Sequence, residues 1–144
     1  MPLYFVETAV SEQKKLLCQW AERLYGEGRR VQIVVDSTPS ARFIDEMLWT
    51  FAQGSFVPHA VFSPGKEGGQ DEPVLITVEQ KRIEDRDTLL CDTPASIEFM
   101  LLFDTAVHFV LRDDPARREQ SRSFWQKARE SGARPIHVPY EHTA

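Results

Sequence analysis

Cysteine is nearly absent from this chain: Cys18 and Cys91 are the two it has, far apart in sequence and in no CxxC pair. That excludes a disulfide-stapled scaffold and a dithiol redox motif, and leaves two buried free thiols in a reducing cytoplasm as the expectation. Long apolar runs are also missing. Nothing approaches the ~20 residues a membrane helix needs, and the start, Met1-Pro2-Leu3-Tyr4-Phe5-Val6-Glu7, lacks the basic-then-apolar pattern of a secretory leader. Positive charge is not in surplus either. The net charge is −5, which argues against broad contact with a phosphate backbone.

The motifs of common chemistries are absent too. His59, His108, His137 and His142 show no HxH or HExxH spacing, so no metal site is expected. No serine lies in GxSxG, so no catalytic residue is expected. The turn after Glu7, Thr8-Ala9-Val10-Ser11, has no glycine and cannot form a dinucleotide fingerprint. Gly65-Lys66-Glu67-Gly68-Gly69 has a lysine among glycines, but Pro73 and a strand pattern follow where a phosphate loop needs a helix. No cofactor is implied.

What is present is a globular composition, 42% apolar and 27% charged, over a length that suits one domain spanning residues 1–144. Tyr4–Glu7 reads as a short strand. Ser11 is a plausible N-cap for a helix carrying Leu16, Leu17, Trp20 and Leu24 and stopping at Gly26–Gly28. Val31–Val35 is a β-branched run. Thr38-Pro39 reads as an N-cap and first-turn pair for a helix with Phe43, Ile44, Met47, Leu48 and Phe51. Strands are expected at Val74–Val78, Leu89–Cys91, Ala106–Leu111 and Ile136–Val138, and a helix from Asp114-Pro115 to Ser131 with Gly132 as its stop. The apolar stretch Ile97–Phe103 has no clear assignment. The Gly54–Pro73 connection reads as packed in its apolar first half and mobile in its Gly-rich second. Lys81–Asp87 reads as a solvated turn, and Asp45 and Glu46 as helix neighbours able to pair with Arg42. The β-α-β-α order implies an α/β single domain: a mostly parallel central sheet, helices on both faces, resembling nucleotide-binding folds.

Two clusters stand out. Trp49, Phe51 and Phe56 crowd a helix end and the loop Ser55-Phe56-Val57-Pro58-His59, which suits a protein contact better than a chemical step. The second is cationic. Arg112–Arg134 carries seven basic and four acidic residues, +3 against −8 for the rest of the chain. Within it Arg118, Arg122, Trp125 and Arg129 follow helical spacing. Guanidinium groups beside an indole can grip a carboxylate and stack an aromatic ring, which fits a short acidic peptide ending in Phe. The opposing reading puts Trp125 in the core and leaves the arginines as a solvated face.

Arg42-Phe43-Ile44-Asp45-Glu46-Met47-Leu48-Trp49, Ser55-Phe56-Val57-Pro58-His59, Glu72-Pro73-Val74-Leu75-Ile76 and the Arg-rich last helix closing on Gly132 resemble, in order and spacing, the chi subunit family of bacterial DNA polymerase III. The resemblance covers nearly the whole chain, and Leu48-Trp49 with Ser55–His59 is its specific part. It implies a non-enzymatic, cytoplasmic clamp-loader component. Such a component bridges the psi subunit to the acidic C-terminal tail of single-stranded-DNA-binding protein, so that DNA is met only indirectly. The resemblance puts the tail site at Val110, Arg118, Arg122, Trp125 and Gln126, with Arg117 an alternative to Arg118 and Gln126 standing where the family can have lysine. It puts the psi contact at Trp49, Phe56, Val57 and Pro58, and adds an XPD-like helicase as a further partner. A small nucleotide-binding α/β enzyme and a direct single-stranded-DNA-binding module are the competing classes.

Overall fold

In the computed structural model, residues 1–65 and 71–141 are described. Most of the Gly65–Gly69 run, and His142, lie outside them. Seven strands, β1 (Pro2–Thr8), β2 (Val31–Val34), β3 (His59–Val61), β4 (Val74–Thr77), β5 (Thr88–Cys91), β6 (Thr105–Leu111) and β7 (Arg134–Val138), form one sheet in the order β3-β4-β2-β5-β6-β1-β7. Every neighbouring pair is parallel. Strands buried on both faces need no polar side, so β2, β4 and β5 are buried at all four of their positions.

Helices α1 (Gln13–Gly26) and α2 (Thr38–Thr50) cover one face, and α3 (Ile97–Met100) and α4 (Pro115–Glu130) the other. The first face packs Leu17, Cys18, Leu24, Ile44 and Leu48 on Val6, Ile33 and Val107. The second packs Phe99, Met100 and Ala128 on Leu3, Phe5 and Ala106. Both thiols are buried and free, and burial pushes the Cys18 thiol up to about 12, so neither thiolate forms near neutral pH.

Caps set the helix starts, sometimes one residue from the sequence expectation. Asp114 accepts from the Arg117 amide as expected. The cap of α2 is Ser37, whose hydroxyl accepts from the Ser40 amide, so Thr38 and Pro39 fall in the first turn. Ser11 caps nothing: it lies inside a short 3-10 turn, Val10–Glu12, that leads into α1. Gly132 (φ +82) takes the left-handed position that stops α4. The unassigned Ile97 segment is α3, capped by Ser96.

Three differences bear on function. The Gly54–Pro73 connection contains β3, an edge strand too short to show alternation. Lys81–Asp87 is not wholly solvated: Arg86 is 0% exposed, and its Nη1 donates to the Pro73 carbonyl (2.9 Å) and reaches toward that of Val31 (3.4 Å). Asp45 meets His59 (3.1 Å) rather than Arg42.

Candidate functional site

Strand alternation builds a groove along α4. In β1 and β6 the side chains of Phe5, Glu7, His108 and Val110 point to the α4 face, and the parallel registers pair Phe5 with His108 and Glu7 with Val110. On the other side of β1, Phe5 is paired with His137 of β7. On α4, Arg118, Ser121, Arg122 and Trp125 fall on one stripe by 3.6-residue spacing. These surfaces enclose an open groove of about 300 Å3, lined by Phe5, Glu7, Val110, Arg118, Ser121, Arg122, Trp125 and His137.

The groove has an apolar floor and a cationic rim. Trp125 is half-buried and meets Phe5 edge-on, ring centroids 5.0 Å apart. Val110 closes the floor beside it. Arg118 and Arg122 are exposed above, and Arg122 lies only 3.8 Å from Glu119 in a surface pair worth little. Trp125 both packs against the core and lines the groove. Of the two alternatives at this step, Arg118 lines it and Arg117 does not. Gln126 lies off the groove, its amide donating to Glu130 (3.1 Å) on the exposed side of α4. Arg129 is exposed and absent from the lining; the stripe continues instead through buried Ala128.

His108 forms a buried second layer, its Nε2 2.8 Å from Ser121 Oγ. Burial, helped by the Arg117 charge, pushes its pKa down to about 4. The folded protein holds it neutral where an unfolded imidazole, near 6.5, takes up a proton. The unfolded state therefore binds more protons as pH falls from about 6.5 to about 4, and stability declines through that window by up to about 3 kcal/mol. Above it the contribution is complete. Urea unfolding of wild type and His108→Gln at about pH 7.5, 5.5 and 4.5 should show the variant losing less on acidification. Parallel losses would remove His108 as the cause.

The aromatic cluster lies at the opposite edge of the sheet. Trp49 is 56% exposed and Phe56 62%, with their rings 5.8 Å apart. Beneath them His59 is buried, its Nδ1 2.6 Å from the Val57 carbonyl and its Nε2 3.0 Å from that of Asp45, with the Trp49 ring tilted against it at 4.8 Å. This bracket fixes the loop to α2. Val57 does not join the surface: at 1% exposure it is a core residue, because the loop turns it under α2 to fill the space against Ile44 and Leu48. Pro58 is half-buried, and Phe51 packs on the core rather than with Trp49.

In open parallel sheets ligands favour the crevice where neighbouring strands send their connections in opposite directions. Here that occurs between β2 and β5 and again between β6 and β1, where the groove lies. At the first, a charged pair sits at the strand ends. Lys14 Nζ sits 2.7 Å from both carboxylate oxygens of buried Asp92, and Gln13 adds a further bond. Among the described residues no three His, Cys, Asp or Glu side chains are grouped to hold a metal. A second groove, about 430 Å3, lies on the α1 face between Trp20, Arg23 and Val138. Sequence reasoning missed this groove and the contributions of Phe5, Glu7, Ser121 and His137. No local signal marks Phe5, Glu7 and His137, since strand order decides which side chains meet, whereas helical spacing puts Ser121 on the same stripe as Arg118 and Trp125.

Among known proteins, the family described as DNA polymerase III chi subunit, HolC, matches residues 2–135. The chain belongs to this family. The Escherichia coli (strain K12) DNA polymerase III subunit chi is 32% identical over 119 residues, 80% of each chain. The Haemophilus influenzae subunit is 30% identical over 83% of this chain and 81% of its own, and the Pseudomonas aeruginosa subunit 25% identical over 85% and 82%. Chi-family membership makes the chain a replication accessory subunit of the polymerase III type. By backbone alone it also resembles domain 2 of the DEAD-box helicase Mss116p, solved bound to an RNA duplex. The TM-score is 0.63 at 9% identity, covering 99% of this chain and 64% of that one, which speaks to the α/β fold and not to RNA. Among the described residues no helix is long and apolar enough to cross a membrane.

Proposed function

We propose that this chi-family chain is a non-catalytic, single-domain cytoplasmic adaptor that links the clamp-loader assembly to single-stranded-DNA-binding protein, meeting DNA only through it. The observation that carries the reading is the α4 groove, an apolar floor of Phe5, Val110 and Trp125 under the paired guanidinium groups of Arg118 and Arg122. It suits the acidic C-terminal tail of that protein. The terminal Phe ring sits on the floor, and its carboxylate and neighbouring acids meet the arginines. Screened attraction makes the complex weaker in salt.

The second surface, Trp49 and Phe56 with Pro58 at its margin, takes psi where psi is present, or an XPD-like helicase in its place. Its separation from the groove supports a bridging role. The cluster adjoins β3 at one edge of the sheet and the groove is centred on β1, so five strand spacings of about 4.8 Å set the surfaces roughly 24 Å apart. Two partners can then be held together without competing. At the β2–β5 crevice the Lys14–Asp92 pair disfavours the nucleotide-enzyme reading.

Calorimetric titration with a synthetic acidic peptide ending in phenylalanine should give one saturable site on wild type and the same affinity on Trp49→Ala. The same variant should lose about 2 kcal/mol of psi binding while its melting temperature changes little. No peptide binding by wild type would sink the adaptor reading. A Trp49→Ala protein that unfolds early yet binds psi normally would move Trp49 into the core.

A further inference from the structure

Ser121 is a hydroxyl between two arginines, and neither charge nor bulk explains why it faces the groove. It lies on the same α4 stripe as Arg118 and Arg122 and lines the groove with them, while being only 5% exposed. Its Oγ is 2.8 Å from Nε2 of His108, which is itself 2% exposed. We propose that Ser121 is a third carboxylate donor, its hydroxyl proton held toward the groove by His108, so that the site recognises a free chain terminus rather than acidic side chains in general. This rests on the groove being the peptide site.

A neutral imidazole carries one N–H. In the proposed tautomer it sits on Nε2, which lies 2.8 Å from Ser121 Oγ, and Nε2–H donates to that oxygen. The oxygen's lone pair is then engaged by the ring. Its own hydrogen is left to donate elsewhere, and the groove is the side on which Ser121 is open. With the opposite tautomer the hydroxyl would donate into the ring and present only acceptor character to an anion, which would repel a carboxylate. Burial keeps His108 neutral near pH 7, as the arrangement requires. Arg118 and Arg122 are long and exposed, and on their own they attract any anion. A short hydroxyl fixed from beneath adds one donor at one place, which is the geometry that separates a terminal carboxylate from an Asp side chain.

The test pairs two peptides with two proteins. An acidic peptide ending in phenylalanine is made as the free acid and as the C-terminal amide, and each is titrated into wild type and Ser121→Ala by calorimetry. Wild type should prefer the acid, and Ser121→Ala should lose about tenfold on the acid and almost nothing on the amide. Long-range nitrogen–proton spectra of wild type should place the His108 proton on Nε2 at neutral pH, a readout that does not depend on the variant's folding. Equal loss on both peptides, no loss on either, or a proton on Nδ1 would overturn the proposal while leaving the groove as the peptide site. Failure of wild type to bind the free acid at all would overturn both.

Discussion

Alanine at both Arg118 and Arg122 should cost the acidic peptide about 2 to 5 kcal/mol of binding, roughly a 30-fold to several-thousand-fold loss, with no loss of fold. Both side chains are exposed in the free protein, and the one ion pair there, Arg122 with Glu119, is a solvated surface contact. Removing them therefore costs folding little. In the proposed complex the situation reverses. A peptide lying on Phe5, Val110 and Trp125 covers the rim, so the guanidinium–carboxylate bonds are made away from bulk water and strengthen accordingly. The double variant should also flatten the salt dependence, since it removes the screened part of the attraction. Calorimetry at two ionic strengths, with thermal unfolding as a control, checks both statements. Retained affinity in a well-folded double variant would place the peptide elsewhere.

Arg86→Ala should have the opposite profile: destabilisation by about 3 to 4 kcal/mol with peptide affinity unchanged. Arg86 is among the largest fully buried side chains of the protein. Its guanidinium reaches the carbonyls of Val31 and Pro73 at the start of β2 and β4, and Arg82 Nε in turn donates to the Arg86 carbonyl (2.8 Å). Alanine would empty that volume and remove donors from buried carbonyls. Arg86→Met refills the space without the charge and should recover part of the loss, because burying a cation carries its own desolvation cost. The groove is at the far, carboxyl ends of β1 and β6, so tail binding should not respond. Urea titrations measure the stability change. An alanine variant within about 1 kcal/mol of wild type would make Arg86 a passenger.

Some misreadings share a cause. Lys81–Asp87 looks solvated because six of its seven residues are charged, yet the fold turns one of them inward to meet strand-end carbonyls. Val57 sits in an aromatic loop that reads as surface, yet His59, bracketed by the Val57 and Asp45 carbonyls, pulls the loop against α2 and drives Val57 into the core. Ser11 has the right chemistry for a cap, but a 3-10 turn placed ahead of α1 moves the helix start past it. Ser37 competes with Thr38 for the cap of α2 and prevails by reaching the Ser40 amide. In each case a neighbour distant in sequence, or a shift of one residue, outweighed local propensity.

In the sequence itself, local pattern was enough to mark Tyr4–Glu7 and Ala106–Leu111 as strands and the 3.6-residue period after Asp114 as a helix, and with it the stripe of Arg118, Arg122 and Trp125. Its ordered blocks also pointed to the chi family. Tertiary structure alone decided that β1 lies between β6 and β7, and so that Phe5, Glu7, Val110 and His137, up to 132 residues apart in numbering, share a groove with that stripe. Local pattern cannot carry that information. Parallel neighbours are chosen by where each crossover helix packs, and that choice is made by the burial of whole faces rather than by any segment alone.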